Sequence, residues 1–241
     1  MSERLQNVIA HAGLASRRGA VAIIESGRVT VDALVITEPG YRVEDDARVA
    51  VDGKVIHVPE KKRTIMMYKP VGVLSSMSDP FGGTTVRDII GPNVSERLVP
   101  VGRLDKESEG LLLMSNDGDL TLKLTHPRFE HEKTYIAHVA GRWNEEKLQI
   151  LNGPVKMPDG YITRPVPVKV ISIREDNITV LEFRLREGRK RQIRYMCSAA
   201  HLVVTKLKRV AVGSLRLDER LEPGMWRDLT QEEIASALSS S

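Results

Sequence analysis

One cysteine, Cys197, in 241 residues leaves nothing for an internal disulfide to join, which excludes a disulfide-stapled scaffold and suits a reducing compartment. Aromatic residues are almost as sparse, at three Phe, two Trp and five Tyr, so an aromatic that touches a ligand has few competitors. No Gly-rich nucleotide loop and no close Cys/His set is present, and neither a cofactor nor a metal is expected. His126 and His131 are too isolated to argue for metal ligands. There is no apolar run of the length a signal peptide or a membrane span needs. The opening Met1-Ser2-Glu3-Arg4 leads straight into an amphipathic pattern, and a cytoplasmic address without membrane contact is the expectation.

What is present is the composition of an ordinary globular protein, 41% hydrophobic and 28% charged, long enough to bury a real core. The net charge of +4 is unevenly spread. Arg184 to Arg216 holds ten Lys and Arg against Glu187 alone, a net +9 that leaves −5 on the remainder. Such a stretch is what a phosphate backbone attracts, although a charge run by itself is more often a solvated face.

The first sixty residues read as two helices followed by strands. Leu5, Val8, Ile9 and Ala12 recur at helical spacing up to Gly13; Ser16 caps a second helix that turns Ala20, Ile23 and Ile24 inward and stops at Gly27. Arg28 to Val31 and Leu34 to Ile36 pair around Asp32-Ala33, and Arg48 to Val51 and Lys54 to Val58 flank an Asp52-Gly53 turn. His57 to Arg63 lacks periodicity and reads as a linker. Beyond it, strand-like runs (Ile65 to Tyr68, Leu111 to Met114, Thr134 to Val139, Val166 to Ile173, Ile178 to Leu185) alternate with shorter helical patterns, which predicts an α+β domain on a mixed, mainly antiparallel sheet. Asp117 caps a helix through Leu120 and Leu124. Ile193, Met196, Cys197 and Ala200 mark the buried face of another, which makes Cys197 a core residue rather than a nucleophile. Thr230 and Glu233 form a capping box for a last helix, with three serines fraying after it. The expected division is 1–60 as a small domain, 61–63 as the end of the linker, 64–232 as the main domain and 233–241 as helix end and tail.

Ser16-Arg17-Arg18, a helix and Gly27-Arg28-Val29-Thr30-Val31 together resemble the S4 RNA-binding module, with an α-L type fold. The resemblance implies that Arg17, Arg18 and Arg28 grip structured RNA by backbone and shape. Where that module usually has Asn-Gly, this chain has Asp32-Ala33, a poorer type I′ turn because Ala resists positive φ. By charge the unit is otherwise a weak RNA binder, with seven Lys/Arg against nine Asp/Glu in residues 1–60.

Four further segments occur in family order: Lys69-Pro70-Val71-Gly72; Val101-Gly102-Arg103-Leu104-Asp105 through Leu113; Glu132-Lys133-Thr134-Tyr135; and Glu187-Gly188-Arg189-Lys190-Arg191-Gln192-Ile193-Arg194. They resemble the ribosomal RNA pseudouridine synthases in which an S4 module precedes the catalytic domain, and look most like the large-subunit, synthase-B-like branch. The resemblance implies an isomerase that breaks the bond between ribose C1′ and uracil N1, turns the base and joins C1′ to C5. That reaction is redox-neutral and requires no cofactor.

The chemistry needs an ionised carboxylate at C1′, either to trap the sugar or to remove a neighbouring proton, and the resemblance gives that role to Asp105. Alone, an Asp before a Gly-containing turn is more often a turn former. Tyr135 matches the tyrosine on which the family stacks its flipped uracil, its hydroxyl helping with the C5 proton. Arg194 falls where the family pairs a basic residue with the aspartate. A bidentate guanidinium would hold it ionised, with Lys190 or Arg191 as alternatives. The basic stretch Arg184 to Arg216 would continue an RNA track outward from the pocket, with Arg103, Arg189, Lys190 and Arg191 among the RNA-binding residues, and Lys69 is given no direct chemistry. The expected partner is ribosomal RNA, of the large subunit or its assembly intermediate, bound by a monomer. A small-subunit target, a non-catalytic assembly factor and a nucleoside hydrolase are the competing readings.

Overall fold

The computed structural model describes residues 3–44, 47–56, 62–92 and 94–239. Most of the expected linker, residues 57–61, and the last two serines lie outside that set. The chain forms two compact units, one of Met1–Lys62 with Ser95–Arg97 and the other of Arg63–Val94 with Leu98–Ser241. Among the described residues no helix is long and apolar enough to cross a membrane.

In the first unit, β1 (Glu3–Arg4) leads into α1 (Leu5–His11), and Ser16 Oγ accepts from Gly19 N at 3.0 Å to start α2 (Arg17–Glu25). A four-stranded antiparallel sheet follows, in the order β3 (Leu34–Ile36), β2 (Val29–Val31), β5 (Val49–Val51), β6 (Lys54–Val55), while β4 (Arg42–Val43) pairs with β1. Leu5, Val8, Ile9, Ala20 and Ile24 pack on Val29, Val31, Val49 and Val51 to make this unit's own core. The β2–β3 hairpin closes with Asp32 at φ 49° and Ala33 at φ 67°, so alanine does occupy the left-handed region a type I′ turn demands. Asp32 anchors the turn by accepting from Arg48 N at 2.9 Å.

The second unit is built on a nine-stranded sheet. Its main path runs β11 (Val168–Ile173), β12 (Ile178–Leu185), β10 (Lys133–Ala140), β13 (Val203–Val212), β9 (Glu109–Ser115), β7 (Thr64–Lys69), β15 (Trp226–Asp228). Strands β8 (Val99–Val101) and β14 (Leu215–Arg216) hang on β9 and β13, and only β9–β13 is parallel. Every residue of β7 and β9 is buried, which explains their unbroken apolar runs. The period of two divides them between two cores. Met66, Tyr68, Leu111 and Leu113 meet Leu120 and Leu124 of α4 (Gly118–Thr125) and Ala237 of α7 (Gln231–Leu238). Ile65, Met67, Leu112 and Met114 meet Val86 and Ile90 of α3 (Val86–Ile90), together with Leu104. A third core joins β10 and β12 to α5 (Glu145–Asn152) and to Ile193, Met196 and Cys197 of α6 (Gln192–Ala199). Burial there pushes the Cys197 thiol up to about 12.

The last helix forms as its capping box predicts, but its end belongs to the main domain: Ile234, Ala237 and Leu238 pack into the core, and Ser239, expected to fray, donates from Oγ to Ser214 Oγ at 3.0 Å. The basic stretch Arg184 to Arg216 is not one continuous surface. It breaks into the end of β12, α6 and the central strand β13, where Arg209 is buried and Lys206 pairs with Glu109 at 3.0 Å.

Candidate active site

Asp105 sits on the loop between β8 and β9, and that loop is fastened along its length. Ser75 Oγ donates to the Leu104 carbonyl at 2.9 Å and accepts from Leu104 N at 3.0 Å. Gly72 N reaches the Lys106 carbonyl at 2.8 Å, and Ser108 N the Asp105 carbonyl at 3.0 Å. Lys69 is fully buried, and its Nζ donates to the carbonyls of Ser108 at 2.8 Å and Pro70 at 2.9 Å. Burial brings the Lys69 ammonium down to about 8, with the charges of Asp105 and Glu107 opposing. Leu104 plugs the adjacent core, so the Asp105 carboxylate is presented from a rigid seat, the arrangement a reacting group needs.

The carboxylate opens into a cavity of about 730 Å³ formed entirely by the second unit. Tyr135, Arg103, Arg189, Lys190 and Arg191 line the same cavity, whose walls carry eight Lys and Arg against three carboxylates. That excess is suited to a polyanion. The rim cations are partly spoken for: Arg189 lies 3.4 Å above the Tyr161 ring and 3.3 Å from Asp159, while Arg191 holds Glu107 at 2.8 Å. Arg191 also adopts φ 57° at the start of α6, a sparsely populated conformation for a non-glycine residue.

Arg194 departs from expectation. It is not on the cavity wall and makes no ion pair with Asp105; its Nη2 donates to the Glu107 carbonyl at 3.0 Å and its Nη1 to the Val204 carbonyl at 3.2 Å. The reason is its place on α6, whose buried Ile193–Met196–Cys197 face directs the guanidinium at the backbone of the Asp105 loop rather than at the carboxylate. Burial lowers the Arg194 pKa, Arg191 adds to this, and the fields of Glu107 and Asp105 oppose it. Its Nε is buried without a partner. In the first unit Arg17 and Arg18 line a shallow depression with Arg4, whereas Arg28 is engaged by Asp52 at 2.8 Å.

Three residues on the inner wall had been given no role from sequence: His131, Lys133 and Arg209. Lys133 lies two residues before Tyr135 on β10, hence on the same face, a signal available in the Lys133-Thr134-Tyr135 motif itself. Arg209 stands directly opposite Tyr135, and the pairing skips Val210, so that Thr134 faces Ala211 and Lys133 faces Val212. This bulge is what lets Leu207, Arg209 and Val212 all reach the cavity despite their odd spacing. Gly110 faces Arg209 across the parallel pair at φ 106°, and a Cβ there would come within 2.3 Å of the Arg209 carbonyl. Burial, then Arg209, depress Lys133 to about 8. His131 is 8% exposed, its Nδ1 unpartnered, and burial lowers its pKa.

The pattern of the RNA pseudouridylate synthase family matches residues 63–199, and that of the S4 domain residues 3–49. Ribosomal large subunit pseudouridine synthase B of Bacillus subtilis is 39% identical over 96% of this chain and 94% of its own length. The protein of that name from Vibrio vulnificus is 37% identical over 97% of this chain and 74% of its own. Among solved structures, the crystal structure of a pseudouridylate synthase superimposes with a TM-score of 0.69 at 26% identity, covering 97% of this chain and 99% of that one. A structure of an H/ACA RNP bound to a substrate RNA shares the fold over 67% of this chain at a TM-score of 0.51. With a catalytic-domain pattern over most of the second unit and an S4 domain before it, the chain belongs to the RNA pseudouridylate synthase family.

Proposed function

We propose that the protein isomerises a uridine of large-subunit ribosomal RNA to pseudouridine, with Asp105 as the carboxylate at C1′ and Tyr135 as the ring beneath the uracil. The observation that carries this reading is their convergence: a firmly seated carboxylate and a half-buried tyrosine share one cavity whose walls are strongly cationic. Flipping the base costs a few kcal/mol, part of which stacking on Tyr135 returns. The large-subunit assignment is supported by the names of the relatives at 39% and 37% identity.

Arg194 acts on Asp105 through its field and through the Glu107 carbonyl it holds. Arg103, Arg189 and Lys190 at the cavity, with Arg17 and Arg18 of the S4 domain, hold phosphates, and Arg28 joins them by exchanging Asp52 for a phosphate. The protein works as a monomer, each chain supplying a whole cavity from one unit, and in the cytoplasm, which suits a free thiol. The test uses unmodified large-subunit and small-subunit transcripts tritiated at uridine C5. Release is expected from the large-subunit RNA. Release from the small-subunit RNA alone would reassign the target, and none from either would sink the reading.

A further inference from the structure

The reaction has an anionic stage that Asp105 cannot help. When the C1′–N1 bond breaks, its electron pair leaves with N1 and spreads onto O2 and O4 of the ring. At the sugar, C1′ is taken by the Asp105 carboxylate, or C2′ loses a proton and a glycal forms. After the base turns, C5 bonds to C1′, displacing Asp105, or adds to the glycal as C2′ regains its proton. The C5 proton is then lost and one arrives at N1, so the balance is that of an isomerisation. Between the two bond changes the uracil is a free anion, in a site where water is largely excluded and fixed charges act strongly.

We propose that Lys133 and Arg209 form the cationic wall that stabilises this uracil anion, an inference that rests on the Asp105 cavity being the reaction centre. Both line that cavity, and both flank Tyr135 on the same face of the sheet. Arg209 is the directly opposed residue, with Cβ atoms about 5 Å apart in such pairs. Lys133 is two positions along the strand, about 7 Å away. A ring lying on Tyr135 therefore directs its polar edges at these two side chains. Arg209 is 3% exposed and is aimed by its Nε bond to the Leu111 carbonyl at 2.8 Å. Lys133 Nζ is oriented by the His131 carbonyl at 2.9 Å, which leaves it two further protons to give. A phosphate stays at the rim, where exposed Lys190 waits; only a flipped base penetrates to Arg209.

Charged groups share the cavity wall with Lys133 on several elements: Arg209 from β13, Asp105 and Arg103 from the loop after β8, Glu130 and His131 from the turn before β10, Arg164 from the segment before β11, and Arg186, Glu187, Arg189, Lys190 and Arg191 between β12 and α6. Among these only Arg209 acts appreciably on Lys133, and it repels. With no carboxylate holding it, and burial bringing it to about 8, Lys133 is a cation kept at a cost that an incoming anion relieves. Neither cation transfers a proton. Their contribution is confined to the stage at which the ring is charged, and it grows with the basicity of the departing nitrogen.

The experiment compares single-turnover conversion of a uridine transcript and a matched 5-fluorouridine transcript, followed by nuclease digestion and mass spectrometry, alongside RNA affinity. Fluorine makes the departing ring a more stable anion; because C5 then carries no proton to lose, conversion of that transcript is read as the C1′–C5-linked nucleoside whose N1–C6 double bond has taken up water. Lys133→Gln is expected to slow conversion of uridine about 100-fold with affinity nearly unchanged, and of 5-fluorouridine about 10-fold or less. Wild-type turnover should also decline on the alkaline side, from about pH 8, as Lys133 loses its proton. Lys133→Arg should restore most of the rate and carry that decline to higher pH. Equal losses on both transcripts would overturn the proposal, as would weakened RNA binding at an unchanged rate, the mark of a phosphate grip. Should Lys133→Gln not fold, Lys133→Arg decides alone: an unmoved alkaline decline belongs to Lys69 and refutes the assignment. Turnover by Asp105→Asn would instead show that the cavity is not the reaction centre. An inert Asp105→Asn beside a fully active Lys133→Gln would remove only the inference.

Discussion

The cations of the inner wall and those of the rim are the same residue types in different physical states. Arg209 is buried and Lys133 half-buried on the wall, and both, like the half-buried Arg194 behind the Asp105 loop, are tied to backbone carbonyls at 2.8–3.2 Å. Arg189 and Lys190 are exposed at the cavity mouth, as are Arg17 and Arg18 in the S4 domain. Charge acts strongly where dielectric screening is weak, so the inner set should govern rate; the outer set, screened by salt, should govern how firmly RNA is held.

The largest expected effect lies at the centre that the inner cations serve. Asp105→Asn should lower single-turnover pseudouridine formation by roughly 10⁴-fold or more while RNA affinity in a filter-binding titration changes little, because an amide cannot supply carboxylate chemistry. Arg194→Gln comes next. A loss of about 10²-fold in rate, again at nearly constant affinity, is expected from removing a field and a fastening of the Asp105 loop. If affinity fell instead, Arg194 would belong with the rim. Lys190→Gln should do the reverse, leaving the rate at saturating RNA intact and lowering the slope of log affinity against log salt by about 1. The smallest effect is one of stability. Ala33→Gly relieves an alanine held at φ 67° and should raise the unfolding free energy by about 0.5–1 kcal/mol in chemical denaturation. A loss there would mean that alanine's lower unfolded-state entropy outweighs the strain.

Local rules made much of the fold readable. The Ser16, Asp117 and Thr230 caps start the helices expected of them, and the helical spacing of Ile193, Met196, Cys197 and Ala200 marks a face that is indeed buried. The S4 and catalytic-domain identities were likewise legible in motifs, which the family patterns bear out. Strand β13 was hidden for two reasons. Lys206, Lys208 and Arg209 give it the look of a charged surface, and its skipped residues disturb the alternation that identifies strands. The carbonyl partners of Arg194 could not be read either, since they depend on where Val204 and Glu107 fall in three dimensions. Composition counts charges without knowing which of them a sheet will bury.

The extra residue in β13 separates two kinds of inheritance in this protein. Sequence motifs carry Asp105 and Tyr135, but whether Arg209 or its neighbour looks into the cavity is decided by the parity of a strand, which no motif records. Loss of Val210 would close the bulge and keep Arg209 opposite Tyr135, whereas loss of one residue from the regularly paired Lys206–Arg209 would leave the motif around Tyr135 intact while exchanging inward for outward on one side of the loss. Two relatives with the same motif spellings can thus differ in the electrostatics beneath the base by a single insertion, and strand alignment, more than residue identity, is the place to look for divergence in rate.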